Sequence, residues 1–103
     1  MKTLILTAAS AALLAMTGAA SADQALAQKN ACMSCHGVDK KIVGPAFKDV
    51  AKKYAGDAKA EAELVAKVKN GGKGVWGQVP MPPNPQVKDE DAKKIIAWVL
   101  SLK

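Results

Sequence analysis

The C-terminal end of the chain carries its clearest hydrophobic repeat. From Lys88 to Leu102, apolar residues recur at i, i+3, i+4, i+7 and i+8, the spacing of one buried face of an α-helix. These positions are Ala92, Ile95, Ile96, Val99 and Leu100. Consecutive acidic residues open the segment, where they favour the positive end of a helix dipole. The pattern predicts a helix over Lys88–Leu102.

Three shorter helices are predicted upstream. Each begins with a residue that suits a helix start, either an aspartate that can cap it or a proline at its first position. Their expected bounds are Asp23–Asn30, Pro45–Tyr54 and, after the cap Asp57, Ala58–Asn70. Gly71 and Gly72 then end the third helix. Since neither an alternating strand pattern nor an internal repeat occurs, the sequence predicts an all-α domain of about four short helices with long connections.

The N-terminus has the composition of a secretory signal. Lys2 supplies a positive charge, Leu4–Met16 is a 13-residue apolar run, and Ala20-Ser21-Ala22 is a small-x-small cleavage site. The apolar run is too short to span a bilayer. We expect residues 1–22 to be cleaved and residues 23–103 to form a periplasmic domain with no stable membrane insertion.

Cleavage would leave 81 residues with 14 lysines, 9 acidic residues and a net charge of +5. A domain of this size is near the lower limit for a self-sufficient hydrophobic core, so small secreted domains usually contain a staple. A disulfide between Cys32 and Cys35 would close too small a loop to constrain the unfolded chain. Despite the basic charge, nucleic-acid binding is not expected, because the chain lacks arginine and clustered aromatic residues.

One short motif carries the chemistry. Cys32-Met33-Ser34-Cys35-His36 has the C-x-x-C-H spacing of covalent c-type haem attachment. Two thiols at this spacing can add to the two vinyl groups on one edge of a porphyrin, and the next residue then lies beneath the iron. We expect one haem c, bound through Cys32 and Cys35, with His36 ligating the iron. Burial of several hundred Å² of apolar macrocycle would contribute on the order of 10 kcal/mol, which supplies the missing staple.

Three other interpretations of the cysteine pair fit the sequence less well. A thioredoxin-like redox site needs a βαβ context, which this strand-poor sequence lacks. A zinc site needs four ligands, and the chain has only three Cys and His residues in all. A structural disulfide beside an incidental histidine would stabilise little.

The sixth iron ligand decides between electron transfer and chemistry at an open iron. His36 is the only histidine, which excludes ligation by two histidines. Of the two methionines after residue 22, Met33 lies inside the attachment motif, on the side of the iron that His36 occupies. Met81 is therefore the expected thioether ligand. It lies between two prolines in the longest connection, residues 71–87, and this stiff setting lowers the entropy lost on ligation.

Two further residues have more than one interpretation, and a third is expected in the core. Trp76 can donate its indole N–H to a haem propionate or simply pack. Pro45 can offer its carbonyl to the His36 imidazole or only start a helix. Trp98, on the last helix, is expected to pack in the core near the haem.

Together these motifs resemble the small class I bacterial cytochromes c of the c-551 type. The resemblance covers essentially all of residues 23–103. It runs through the C-x-x-C-H motif and through Val43-Gly44-Pro45-Ala46, Asn70-Gly71, Gly74-Val75-Trp76-Gly77, Pro80-Met81-Pro82-Pro83-Asn84 and Trp98-Val99-Leu100-Ser101. It implies a small monohaem fold in which the helices wrap around a covalently attached haem.

The resemblance also implies roles for individual residues. His36 and Met81 would be the axial ligands of the iron. Pro45 would accept a hydrogen bond from His36, Trp76 would lie near a propionate, and Asn84 would form a hydrogen bond near Met81. Lys67 is a further candidate for binding the haem, because it stands where relatives can carry an arginine near a propionate.

The function expected from these observations is one-electron transfer, not enzymatic catalysis. Proteins of this type commonly serve terminal reductases such as nitrite reductase, or peroxidases and oxidases, so we expect a monomer that forms transient complexes with redox partner proteins. Lys40, Lys41, Lys73 and Lys88 flank the motif loops and are candidates for electrostatic steering. The alternative is a gas-binding or peroxidatic haem protein with a dissociable Met81, which would need polar donors near the iron.

Overall fold

The computed structural model describes residues 23–103, which form four helices and a one-turn 3₁₀ helix. In chain order these are α1 (residues 23–29), the 3₁₀ helix Cys32–Ser34, α2 (Phe47–Lys53), α3 (Ala60–Asn70) and α4 (Asp89–Leu100). Within this part of the chain, β structure is limited to two isolated bridges, His36 with Lys41 and Gly72 with Met81. The predicted all-α class is confirmed. The expected signal segment lies outside the described residues.

The last helix is the centre of the packing. Helix α4 packs against both α2 and α3, and its buried residues are Ala92, Ile95, Ile96, Trp98 and Val99. The predicted stripe is therefore correct except at its end, where Trp98 is buried and Leu100 only half-buried. Trp98 meets Phe47 of α2 edge-on, with ring centroids 5.6 Å apart. Its expected place in the core is confirmed.

Three predicted helix starts need correction. Asp23 is itself helical and does not precede α1. Helix α2 begins at Phe47, because Ala46 is still extended, with φ −61° and ψ 142°. Helix α3 begins at Ala60, since the Asp57 carboxylate accepts a hydrogen bond from the Lys59 backbone N–H at 2.9 Å and closes a separate turn.

The ends of the outer helices also differ from expectation. Helix α4 begins at Asp89 and ends at Leu100, where the Ser101 hydroxyl donates to Trp98 O at 2.6 Å. After α1, Ala31 adopts the left-handed region at φ 65°, a helix-ending position that usually holds glycine. This turn leads the chain directly into the cysteine motif.

None of the helices in residues 23–103 has the length and apolar character needed to cross a membrane.

Candidate functional site

A single apolar cleft brings the predicted site residues together. Its wall includes all eight of them: Cys32, Cys35, His36, Pro45, Lys67, Trp76, Met81 and Asn84. Much of the remaining wall is apolar and comes from the loop after the cysteine motif and from helices α2, α3 and α4. These residues include Val43, Phe47, Val50, Leu64, Val68, Ile95, Ile96 and Val99. The cleft therefore lies where other small domains have their central core.

The cysteine motif presents two free thiols to this cleft. The 3₁₀ helix Cys32–Ser34 places Cys32 and Cys35 half-buried on the wall. Burial raises the pKa of the Cys32 thiol, a backbone hydrogen bond lowers it, and the neighbouring Cys35 raises it. Both sulfur atoms lie on residues that line the cleft, as covalent attachment of a haem requires.

His36 is held from three directions. Its Nδ1 donates to Pro45 O at 2.8 Å, since a carbonyl oxygen can only accept. Its ring stacks on Phe47, with centroids 4.8 Å apart and planes 18° apart. A Cβ at Gly44 would lie only 2.6 Å from His36 Cε1, so glycine is required there. With its Nδ1 proton engaged by Pro45, His36 has Nε2 free to bind a metal.

The backbone around Pro45 explains why it does not start α2. The Gly44 N–H donates to Cys35 O at 2.7 Å and the Phe47 N–H donates to Gly37 O at 2.8 Å. These bonds fold residues 37–46 back onto the cysteine motif. Pro45 consequently lies beside the imidazole, two residues before the first helical position.

Met81 is fixed by its backbone. Gly72 and Met81 exchange two hydrogen bonds, Met81 N–H to Gly72 O at 2.7 Å and Gly72 N–H to Met81 O at 3.1 Å. Gly71 has φ +78°, and a Cβ there would lie 2.6 Å from Met81 O. The half-buried Met81 side chain packs against the hydrophobic core.

The other predicted residues lie around this loop. The Asn84 amide donates to Pro82 O at 3.1 Å, one residue after Met81. Trp76 lies at the mouth of the cleft, 42% exposed, with Lys53 Nζ 5.6 Å from its ring centroid. Lys67 runs past Gly72, where a Cβ would lie 3.4 Å from Lys67 Nζ.

Sequence reasoning missed several residues that shape the site. Phe47 lies within a predicted helix, but its stacking on His36 depends on the fold of residues 37–46. Gly44 and Gly71 belong to the motifs that resemble the c-551 type, but only the structure shows how closely they approach His36 and Met81. Gln86, which donates to Asn84 Oδ1 at 3.3 Å, has no sequence signal.

These residues fit a haem and fit the alternatives poorly. The cleft combines two thiols, a metal-ligating imidazole nitrogen and a thioether with an apolar wall. Zinc is disfavoured, because nowhere in residues 23–103 do three His, Cys, Asp or Glu side chains come together as a metal site. A thioredoxin-like site is disfavoured as well, since the described part of the chain contains no βαβ unit.

Comparisons with known proteins point in the same direction. The sequence profile of the family "Cytochrome c" matches residues 20–103. Cytochrome c-552 of Nitrosomonas europaea is 52% identical over 103 residues, with 100% of both chains covered. Cytochrome c-551 of Allochromatium vinosum is 58% identical over 93 residues, 88% of this chain and 99% of the relative. The crystal structure of wild-type Nitrosomonas europaea cytochrome c552 is similar to this one with a TM-score of 0.76 and 54% identity, covering 78% of this chain and 99% of that one.

Proposed function

Because the chain belongs to the cytochrome c family, we propose that it carries single electrons through the periplasm to a terminal reductase, peroxidase or oxidase, and that His36 and Met81 would hold the iron of its haem. The chain is an electron carrier of the c-551/c-552 type and not an enzyme. It has the class I cytochrome c fold, and its cofactor is one haem c attached through Cys32 and Cys35. The bound iron supplies the chemistry, a one-electron change between Fe(II) and Fe(III).

The observation that carries the ligand assignment is the separate fixing of His36 and Met81 on the wall of one cleft. The Pro45 carbonyl and the Phe47 ring orient His36, and the paired hydrogen bonds with Gly72 set the position of Met81. Ligands that are held in place before the electron arrives need little rearrangement when the iron changes charge. This arrangement suits electron transfer better than an iron with a vacant position.

Three residues at the cleft serve the same function without touching the iron. The Asn84 amide, engaged by Pro82 O, stiffens the segment that follows Met81. Trp76 and Lys67 lie on the cleft wall with N–H donors suited to haem propionates. In this proposal Trp76 and Lys67 hold the propionates of the haem.

Absorption spectra in both oxidation states test the ligand assignment. A low-spin haem with a methionine-to-iron charge-transfer band in the ferric state and a reversible one-electron titration are expected. A high-spin ferric spectrum, or rapid binding of a gas to the ferrous protein, would instead support the gas-binding alternative.

Alanine substitutions at Gly71 and at Gly56 give a matched test of the contact that fixes the Met81 loop. Both have a positive φ, +78° for Gly71 and +79° for Gly56. A methyl group added at Gly71 would lie 2.6 Å from Met81 O, whereas one added at Gly56 would meet no atom within 4 Å. We expect Gly56→Ala to lower the free energy of unfolding by about 1 kcal/mol. Gly71→Ala should lower it by about 2 kcal/mol more, since the added methyl group overlaps backbone and the Gly71 conformation, with ψ −179°, is one that essentially only glycine adopts.

The measurement is denaturant unfolding of both holoproteins, with the methionine-to-iron band recorded in parallel. Gly71→Ala should weaken this band, whereas Gly56→Ala should leave it intact. Equal effects of the two substitutions would mean that the contact between Gly71 and the Met81 carbonyl does not hold the ligand.

The mouth of the cleft supports transient docking of a redox partner. Among residues 23–103, the large apolar side chains that are exposed lie on the two loops beside the cleft. They are Ile42, Val43, Val75, Trp76 and Val79, from 42% to 65% exposed. Lys40 and Lys41 are exposed on the first loop, and Lys73 on the second lines the cleft. The partner that fits is a protein with an apolar contact surface bordered by carboxylates.

Ionic strength distinguishes steering by these lysines from apolar contact alone. The bimolecular electron-transfer rate with the physiological partner is expected to fall as salt is added, because exposed charges are screened. Lys73→Gln should lower the low-salt rate by about two- to fivefold. Lys93→Gln is the control, since Lys93 borders a separate shallow groove with Ala58 and Val65. A rate that is independent of salt would contradict electrostatic steering.

The proposed location also has a direct test. We propose that residues 1–22 are removed on export, and that the mature protein, beginning near Asp23, acts in the periplasm as a monomer. The mass of the mature holoprotein, isolated from a periplasmic fraction, should equal that of residues 23–103 plus one haem. A mass that retains the N-terminal segment would contradict cleavage.

A further inference from the structure

The segment that carries Met81 is a long loop whose two ends lie close together. This ligand loop, residues 71–88, leaves α3 after Asn70 and joins α4 at Asp89. Backbone hydrogen bonds cross it at two places, between Gly72 and Met81 and from Asn84 N–H to Val68 O at 2.8 Å. A third connection is made by a side chain, Lys69, in the last turn of α3.

Lys69 joins α3 to the far end of the ligand loop. Its Nζ donates to Val87 O at 2.6 Å and to Asp89 Oδ1 at 2.8 Å. Val87 is 1% exposed, so its position is set by the core, whereas Asp89 is the first residue of α4. One ammonium group therefore connects the helix before the loop with the residues that close it.

The surroundings of Lys69 make this connection stronger than an ordinary surface ion pair. The Lys69 side chain is only 26% exposed, against 76% for Asp89, so water competes less for its ammonium group. The hydrogen bond from Lys69 lowers the pKa of Asp89, which agrees with a formed pair. Removal of the ammonium group would also leave Val87 O without this charged donor.

We propose that Lys69 is a positioning residue for the sixth iron ligand: by joining the two ends of the ligand loop, it keeps Met81 in the cleft and slows opening of the loop. This inference rests on the proposed ligation of the iron by Met81. Lys69 does not itself line the cleft. It acts through Val87 and Asp89 on a segment that the paired hydrogen bonds of Gly72 and Met81 align.

The rate at which imidazole binds to the ferric holoprotein measures this opening, because an external ligand enters only after Met81 has left the iron. We expect Lys69→Met to raise this rate about tenfold, the factor that corresponds to loss of one hydrogen bond to a charged group. Asp89→Asn should raise it less, since the contact between Lys69 and Val87 O remains.

Two control variants separate this role from general effects. Lys52→Met removes the same charge from an exposed position on α2 and should leave the imidazole rate unchanged. Leu26→Ala weakens the core at α1, away from the ligand loop, and should lower the melting temperature without a comparable increase in the rate. A residue with a merely structural role would behave like Leu26.

The outcomes also separate this inference from the proposed ligand. If Met81→Ala binds imidazole much faster than the wild type while Lys69→Met binds it at the wild-type rate, the role of Lys69 is wrong and Met81 ligation stands. If Met81→Ala and the wild type bind imidazole at the same rate, Met81 is not the ligand and the basis of the inference is lost. A rise in both variants, with Lys52→Met unchanged, supports both.

Discussion

A protein with both Cys32 and Cys35 replaced by alanine is expected to release its haem into acid acetone and to lose its helical circular dichroism when the haem is gone. The wild-type protein should retain its haem under the same treatment, because thioether bonds do not dissociate. The expected loss of helicity is large, because the cleft that holds the haem lies at the centre of the fold.

The apolar cleft occupies the position of a central core. Helices α2, α3 and α4 each contribute buried side chains to its wall, among them Phe47, Leu64 and Ile95. A haem in this cleft would complete the apolar core around these side chains. Burying several hundred Å² of macrocycle contributes on the order of 10 kcal/mol, which is comparable to the net stability of a small domain, about 5–15 kcal/mol.

The covalent bonds matter even while haem remains in the cleft. A tethered cofactor cannot diffuse away, whereas an untethered one stabilises the fold by an amount that rises only with the logarithm of its free concentration. Loss of the tether therefore replaces a permanent contribution on the order of 10 kcal/mol with one that declines as free haem is diluted, so the melting temperature of the double variant should fall on dilution.

Ser34→Ala is the matched control, because Ser34 lies between the two cysteines and is exposed. It should keep the haem and the wild-type melting temperature. A cysteine-free protein that kept native helicity after haem extraction would contradict the view that the cofactor completes the core.

The fold was predictable from the sequence because its main signals are local. The apolar repeat of α4 and the glycines after α3 each lie within a few turns of the element that they define. Helix starts were less accurate, because tertiary contacts decided them. Pro45 has the fixed φ of a first helical residue, yet its carbonyl is used by His36 and the helix begins at Phe47.

The residues that bind the cofactor were predictable where they lie in a short sequence motif. Cys32, Cys35 and His36 lie within five consecutive positions, and Met81 was then identified by elimination. The residues that orient these groups were not accessible in this way. Lys69 reaches Val87 across 18 positions of sequence, and only the folded loop brings them together.

Met81→Ala is expected to change the protein from an electron carrier into a ligand-binding haem protein. Thioether ligation favours Fe(II) and so raises the reduction potential above that given by nitrogen or water. Loss of the thioether should open the sixth position to water or a nearby lysine, remove the methionine-to-iron band, and lower the potential on the order of 0.2 V. The fold should largely survive, because the thioethers and the buried face of α4 remain.

Met33→Leu is the natural control for this experiment, since Met33 is the other methionine of residues 23–103, lies within the attachment motif and packs against the hydrophobic core. It should retain the band and a potential close to that of the wild type. The comparison isolates the sulfur at position 81 from the loss of a methionine in general. If Met81→Ala kept the spectrum and potential of the wild type, another group would hold the iron, and the gas-binding interpretation would have to be reconsidered from the identity of that group.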